Sequence, residues 1–298
     1  MSLTRLLGIA RQCRDLDGTA RFYCEGCGFT EGDAAAPDDL LMPFLRPAAW
    51  ALSERRWLWR GDQPLLLVHA PADARPAPDP LPGCNLAFQH IALVTRDIGT
   101  DHARCLAHGA RPLGALKPQK LPPESGGVTA FKAGDPEGHP FELLAFPPVR
   151  DTPATRGGID HSALSVRDGA ANVAYYTDLL GLDCSGHQIN RGPEQERLDG
   201  LDAVQVKVIT LHPAGHPAPH VELLAYQHPA PISADVPLQP GDIAADHLLF
   251  LASGLDRLAT ALEQHGHPPH AHIGDPAAPI GIATRDPDGH HLVILADD

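Results

Sequence analysis

Aromatic residues make up only 5% of the chain and methionine occurs twice, so a hydrophobic pocket would leave few aromatic clues. Basic residues are also short, 23 Lys and Arg against 37 Asp and Glu, for a formal charge of -14. That deficit removes the electrostatic footprint expected of a nucleic-acid or anionic-lipid binder. No apolar run approaches the roughly 18 to 20 residues of a membrane span. The opening stretch, MSLTRLLGIARQCRDLD, breaks into charge too early for a signal peptide, which makes the cytoplasm the expected compartment. Six cysteines in 298 residues are too sparse for a disulfide framework and are expected to be reduced. Cys24 and Cys27 form a CxxC, but no second CxxC completes a four-thiolate zinc site.

Proline and histidine are plentiful, 31 and 18 residues, and prolines that frequent imply short elements separated by rigid loops. A length of 298 residues is about twice the usual domain of 100 to 150 residues, so two packed units are expected. The sequence repeats itself. Four segments share a short apolar strand, an acidic or small turn, and an amphipathic helix that stops near glycine. They begin at Gly8, His90, His161 and His247, and each is closed by a further apolar strand, at Gln63, His139, Pro219 and His290.

Within a repeat, Asp97 and Asp168 stand where a helix N-cap belongs, and Gly181 supplies a stop. Two shorter β-like runs follow, with DPEG (Asp135 to Gly138) and DPDG (Asp286 to Gly289) turns in two copies. The order is β-α-β-β-β. Cys27 aligns with Leu180 of the third copy, a core position, so a buried structural cysteine is the better reading of the CxxC.

This pattern resembles the vicinal oxygen chelate superfamily, which includes glyoxalase I, bleomycin-resistance proteins and extradiol dioxygenases. The most specific stretches are FQHIALVTRD with DPEGHPFELLAF, and GIDHSALSVRD with HVELLAY. The resemblance implies an α+β fold of four βαβββ modules, paired into two half-closed barrel cups with a divalent metal in the mouth. Two domains of two modules each are expected. Residues 1–150 would hold modules 3–72 and 86–148, and residues 157–298 would hold modules 157–228 and 243–298.

His90 and His161 open their strands, and Glu142 and Glu222 sit within apolar closing strands. A carboxylate in an apolar strand is costly unless paired or coordinating. Imidazole with carboxylate suits Fe(II), Zn, Ni, Co or Mn better than thiophilic ions. The first copy has Gly8 and Leu66 at these positions, and the fourth keeps His247 but has Val293. Pairing of the second and third modules gives one complete site, and parsimony favours it. Pairing of the first module with the second and the third with the fourth would instead split the ligands into His90 with Glu142 and a triad of His161, Glu222 and His247, the latter suited to Fe(II) and O₂.

The resemblance then implies a glyoxalase-type isomerase or lyase that abstracts a proton next to a carbonyl, with Glu142 or Glu222 as base. An extradiol-like dioxygenase and a non-catalytic, bleomycin-resistance-like binding protein are the alternatives. Loop residues Gln119, Lys120, Arg191 and Gln195, with Arg197, are candidate contacts to a small-molecule substrate. His139 and His290 look like structural turn residues, and the HGHPPHAH tract from His265 reads as a surface loop. A monomer or a homodimer is expected.

Overall fold

The computed structural model describes residues 1–46, 53–147, 157–233 and 237–297. Each repeat folds in the expected order. The first holds β1 (Ser2–Cys13), α1 (Leu16–Arg21), β2 (Thr30–Glu31), an inserted α2 (Asp38–Leu45), β3 (Arg55–Arg60) and β4 (Gln63–His69). The second holds β5 (Gln89–Val94), α3 (Ile98–Ala107), β6 (Arg111–Pro112), β7 (Gln119–Lys120), β8 (Thr129–Gly134) and β9 (Pro140–Ala145). In the third come β10 (Ile159–Val166), α4 (Gly169–Ala174), β11 (Asp183–Arg191), α5 (Pro193–Asp199), β12 (Gln205–His212) and β13 (His220–His228). The fourth is β14 (His247–Ser253), α6 (Leu255–Gln264), β15 (Ala271–Asp275), β16 (Ala278–Arg285) and β17 (His291–Ala296).

Helix starts follow the acidic turns. The side chains of Asp15, Asp97 and Asp168 accept backbone N–H groups of the first turn of α1, α3 and α4, satisfying donors that a helix leaves unpaired. α4 runs on through one π-helical turn, Tyr175–Leu179, and stops at Gly181. There φ is +73°, and a Cβ would lie 2.7 Å from the Ser2 side chain, so both conformation and space call for glycine. No helix among the described residues is long and apolar enough to cross a membrane.

The strands form two open, mixed sheets. One has eight strands in the order β15-β16-β17-β14-β1-β4-β3-β2, from the first and fourth modules. The other has nine, along the path β11-β12-β13-β10-β5-β9-β8-β6 with β7 beside β8, from the second and third. The sequence halves 1–150 and 157–298 thus each give one module to each sheet, and the pairing of first with second and third with fourth module is not the one adopted. Within a half, modules meet through helices and turns. Tyr23 donates to Asp135 Oδ2 at 3.0 Å, and Tyr176 to Asp286 Oδ2 at 3.2 Å.

Both DPxG turns are built alike. Asp135 Oδ1 accepts the backbone N–H of Glu137 and His139, and its Oδ2 meets His139 Nδ1 at 2.8 Å. Asp286 repeats this with Asp288 and His290. His139 and His290 are therefore turn histidines, as their sequence setting suggests. Cys27 is buried, with Sγ 3.6 Å from that of Cys105, and burial pushes its thiol well above the usual range.

Strand alternation separates two faces. Ile91, Leu93, Phe141, Leu143, Leu164, Leu223, Leu248 and Leu292 share one core with the helices. On the other face of the eight-stranded sheet, α2 inserts Leu41, Met42, Phe44 and Leu45 against Leu66, Val68, Leu249 and Val293. Among the described residues that face is covered by this apolar cluster. Residues on the corresponding face of the nine-stranded sheet border a cavity instead.

Arg11 joins three modules. Fully buried, it bonds Asp246 Oδ2 at 2.9 Å and the Pro140 carbonyl at 2.8 Å, and it also donates to the Tyr23 hydroxyl. Burial opposes its charge, but Asp246, Tyr23 and Asp135 more than compensate and hold the guanidinium protonated. Removing one partner of such a pair strands the other charge in a dry interior. Arg11→Leu is expected to lower stability by about 3–5 kcal/mol, measured by guanidinium denaturation; a loss under about 1 kcal/mol would show that the pair bears little of the packing.

Candidate metal centre

The four middle strands of the nine-stranded sheet run β13-β10-β5-β9. β10 and β5 are antiparallel, with His90 opposite Ala163 and Ala92 opposite His161. β9 lies parallel to β5 with Glu142 beside Ala92, and β13 lies parallel to β10 with Glu222 beside Ala163. Small residues at 92 and 163 therefore sit between each histidine and its glutamate, and all four polar side chains project to the cavity face. The two halves repeat each other across the β5–β10 seam.

The side-chain ends converge. His90 Nε2 lies 3.4 Å from Glu142 Oε2 and 3.4 Å from His161 Nε2. His161 Nε2 lies 3.8 Å from Glu142 Oε2 and 3.5 Å from Glu222 Oε2. A tetrahedral ion with bonds of about 2.0–2.1 Å separates its ligand atoms by about 3.3–3.4 Å. The separations between neighbouring atoms are those of a coordination sphere. His90, Glu142 and His161 form a candidate three-ligand group, and Asp160, His161 and His220 form a second that shares His161.

His161 is oriented from behind. Its Nδ1 meets Asp160 Oδ2 at 2.9 Å, a partnership that fixes the tautomer and turns the Nε2 lone pair to the centre. His220 lies two residues before Glu222 on the same strand face. Its Nδ1 donates to the Pro217 carbonyl at 3.0 Å, and Nε2 stands 3.5 Å from Glu222 Oε1.

Charge is strongly coupled here. Burial pushes His90 down to about 4, although Glu142 opposes the shift. Burial also disfavours charge on His161, but Glu222, Asp160 and Glu142 outweigh it and hold its pKa at about 9. Burial would raise both glutamates. His90 and Lys132 overcome it at Glu142, which is lowered, and His161 and His220 overcome it at Glu222, which falls to about 2. Two ionised carboxylates thus face two imidazole nitrogens that are too close to be mutual donors. A divalent cation would satisfy His90, Glu142 and His161, whose ligand atoms lie within 4.8 Å of one another, with Glu222 beside His161, so the donor set fits a metal.

The cavity measures about 440 Å³, within the range of small-molecule sites. One wall holds a network centred on Asp199. Lys132 Nζ bonds Asp199 Oδ1 at 2.7 Å, while Gln195 Nε2 and the Tyr226 hydroxyl reach Oδ2 at 2.9 Å each. Of the loop residues expected to meet substrate, the structure brings Gln195 into this wall. Gln119 instead accepts from Arg197 Nε at 2.8 Å, Lys120 bonds the Gly127 carbonyl, and Arg191 is exposed; none of the three lines the cavity.

His247 stands apart. It lies on β14 of the other sheet, opposite Ala10 and stacked on His291 with ring centroids 4.8 Å apart. The triad of His161, Glu222 and His247 is not assembled, because the modules that would supply it belong to different sheets. In the HGHPPHAH tract, His267 packs on Tyr175 and His270 approaches His291; neither joins a three-ligand group among the described residues.

Sequence reasoning missed Asp160, His220, Lys132, Asp199 and Tyr226. The first two carried a signal. Asp160 directly precedes a candidate ligand, and His220 follows from the period-two rule that singled out Glu222. Lys132 depends on strand register, which places it opposite Glu142.

Comparisons with known proteins agree with this architecture. Residues 8–144 match the family model of the Glyoxalase-like domain, and residues 158–294 match that of the Glyoxalase/Bleomycin resistance protein/Dioxygenase superfamily. Among solved structures, the fold is similar to glyoxalase I from Zea mays at 16% identity and a TM-score of 0.65, covering 98% of this chain and 92% of that one. It is also similar to a putative dioxygenase from Bacillus subtilis at 12% identity and a TM-score of 0.59, covering 99% and 86%. Among curated proteins no sequence match was found. With both matched regions drawn from one group, and with the repeated βαβββ units in place, the chain belongs to the glyoxalase/bleomycin resistance/dioxygenase superfamily, also called the vicinal oxygen chelate superfamily.

Proposed function

We propose that the protein is a metal-dependent isomerase or lyase of glyoxalase type, in which His90, Glu142, His161 and Glu222 hold one divalent ion. The supporting observation is the clustering of His90 Nε2, Glu142 Oε2 and His161 Nε2 at separations of 3.4 to 3.8 Å, with Glu222 Oε2 3.5 Å from His161 Nε2. The substrate is a small, oxygen-rich molecule that fits the cavity beside them.

A divalent ion in this position supplies Lewis-acid stabilisation of an oxyanion on the substrate. The protein's own groups supply the rest. A glutamate takes a proton from a hydroxyl-bearing carbon next to a carbonyl, and the C–H electron pair moves toward the carbonyl oxygen. The same carboxylate returns the proton to the former carbonyl carbon, while the hydroxyl proton passes to that carbon's oxygen and the first carbon becomes the carbonyl. Glu222 is better placed than Glu142 for that work. Its side chain is 20% exposed, against 8% for Glu142, and Glu142 has Lys132 opposite it on β8. Asp160 holds the His161 ring, and the apolar wall of Leu144, Val208 and Leu224 limits water at the reacting carbon.

Purified protein is expected to bind one equivalent of Zn, Ni, Co, Mn or Fe(II) per chain. His161→Ala and Glu222→Ala should abolish stoichiometric binding, and Asp160→Asn should weaken it by about 10–100-fold, all read by elemental analysis after dialysis. Full metal content in both alanine variants would overturn the assignment.

The His161 shift adds a pH signature to metal binding. A histidine raised to about 9, from an unfolded value of about 6.5, adds stability to the metal-free protein that is complete below about 6.5. That contribution disappears as pH rises through about 9. Metal uptake at pH 7 must displace the same proton. Calorimetry in buffers of different ionisation enthalpy should find release of about one proton per ion from His161 at pH 7, fading above pH 9. Release that stays at about one proton per ion well above pH 9 would place the proton elsewhere.

A further inference from the structure

The two halves of the centre repeat each other at the four proposed ligands but not at the next position. On β8 the residue opposite Glu142 is Lys132, whereas on β12 the residue opposite Glu222 is Thr210. Lys132 is the only Lys or Arg among the described residues that line the cavity. It is buried, and among the described residues Nζ makes one hydrogen bond, to Asp199. An ammonium has three N–H donors, so two remain for a ligand.

Asp199 is itself fixed by Gln195 and Tyr226, which makes the ammonium a pre-positioned group. Two further buried acceptors of the cavity lining, Gln195 Oε1 and Asn190 Oδ1, have no hydrogen-bond partner among the described residues. Buried polar atoms without partners are uncommon. A hydroxyl on the ligand would supply the missing donor, just as a carboxylate oxygen would use the free donors of Lys132.

We infer that Lys132, held by Asp199, is the specificity-determining residue of this cavity, and that the substrates are small hydroxylated carboxylates whose outward oxygens it binds. The inference rests on the proposed metal-centred function and names a further group that would recognise the same substrate. A single cation, already sharing its charge with Asp199, suits one carboxylate better than a polyanion. Lys132 is thus a recognition group, distinct from the glutamate that moves the proton.

Two probes separate this role from general attraction of anions to the metal. Oxalate and acetohydroxamate both form five-membered oxygen chelates, but only oxalate presents further carboxylate oxygens on its outward edge. Binding of each to Co(II)-loaded protein is measured by calorimetry, with metal content determined in parallel. Lys132→Met should weaken oxalate by about tenfold or more, in keeping with loss of a charged hydrogen bond, and acetohydroxamate by less than about threefold. The double variant Lys132→Met/Asp199→Asn removes both buried charges and should give the same discrimination.

Equal losses for the two probes, or no loss for oxalate, would overturn the inference while leaving the metal centre intact. Failure of the wild-type protein to load Co(II) would instead refute the functional reading beneath it. The wild-type oxalate complex gives a reading that needs no variant. Its crystal structure should show Lys132 Nζ within hydrogen-bond distance of an oxalate oxygen, and an ammonium turned wholly to Asp199 would contradict the role.

Discussion

The site depends on one electrostatic constraint. Glu142 and Glu222 occupy strands whose neighbouring residues belong to the core, and the imidazoles closest to them cannot neutralise both. His90 resists protonation because it is buried, while the carboxylates around His161 hold its proton in place. A sheet that places two ionised carboxylates and two imidazoles on one face needs a further positive charge to relieve that arrangement. A divalent cation would supply it, and the strand register gathers His90, Glu142 and His161 within 4.8 Å of one another, with Glu222 beside His161.

The register of four strands accomplishes this. Antiparallel pairing of β5 with β10 sets His90 and His161 diagonally across the seam, and the parallel pairs with β9 and β13 bring each glutamate beside an alanine. A slip of one residue in any pair would send a ligand into the core face. Helix-to-turn contacts tie the modules together within each half of the chain, where Tyr23 meets Asp135 and Tyr176 meets Asp286. Sheets thus join modules across the halves, and helices join them within a half. The second copy of the sheet keeps the same strand order but has α2 packed on the corresponding face, with Leu66 and Val293 at ligand positions. One duplicated frame has yielded a pocket and a solid core.

Much of this was legible before the structure. The repeat exposed the β-α-β-β-β order, Asp97 and Asp168 marked helix starts, and the turn role of His139 and His290 followed from their DPxG setting. The positions of His90, Glu142, His161 and Glu222 stood out because period-two alternation puts a polar residue on the opposite face from its apolar neighbours. Module pairing was less accessible, since linker lengths do not determine which strand edges meet. Nor could the sequence reveal the wall around Asp199. Lys132 and Asp199 are 67 residues apart, and nothing local to either shows that they touch. Gln119, Lys120 and Arg191 illustrate the converse, polar loop residues of suitable chemistry whose backbone does not carry them to the cavity.

The central claim concerns the place of one ion, so the most direct measurement is an anomalous-difference map from crystals of metal-loaded protein, recorded at the absorption edge of the metal. The account predicts one dominant peak at about 2.0–2.3 Å from His90 Nε2, Glu142 Oε2, His161 Nε2 and Glu222 Oε2. A peak bound instead by Asp160 and His220, or no peak on this face of the nine-stranded sheet, would contradict it.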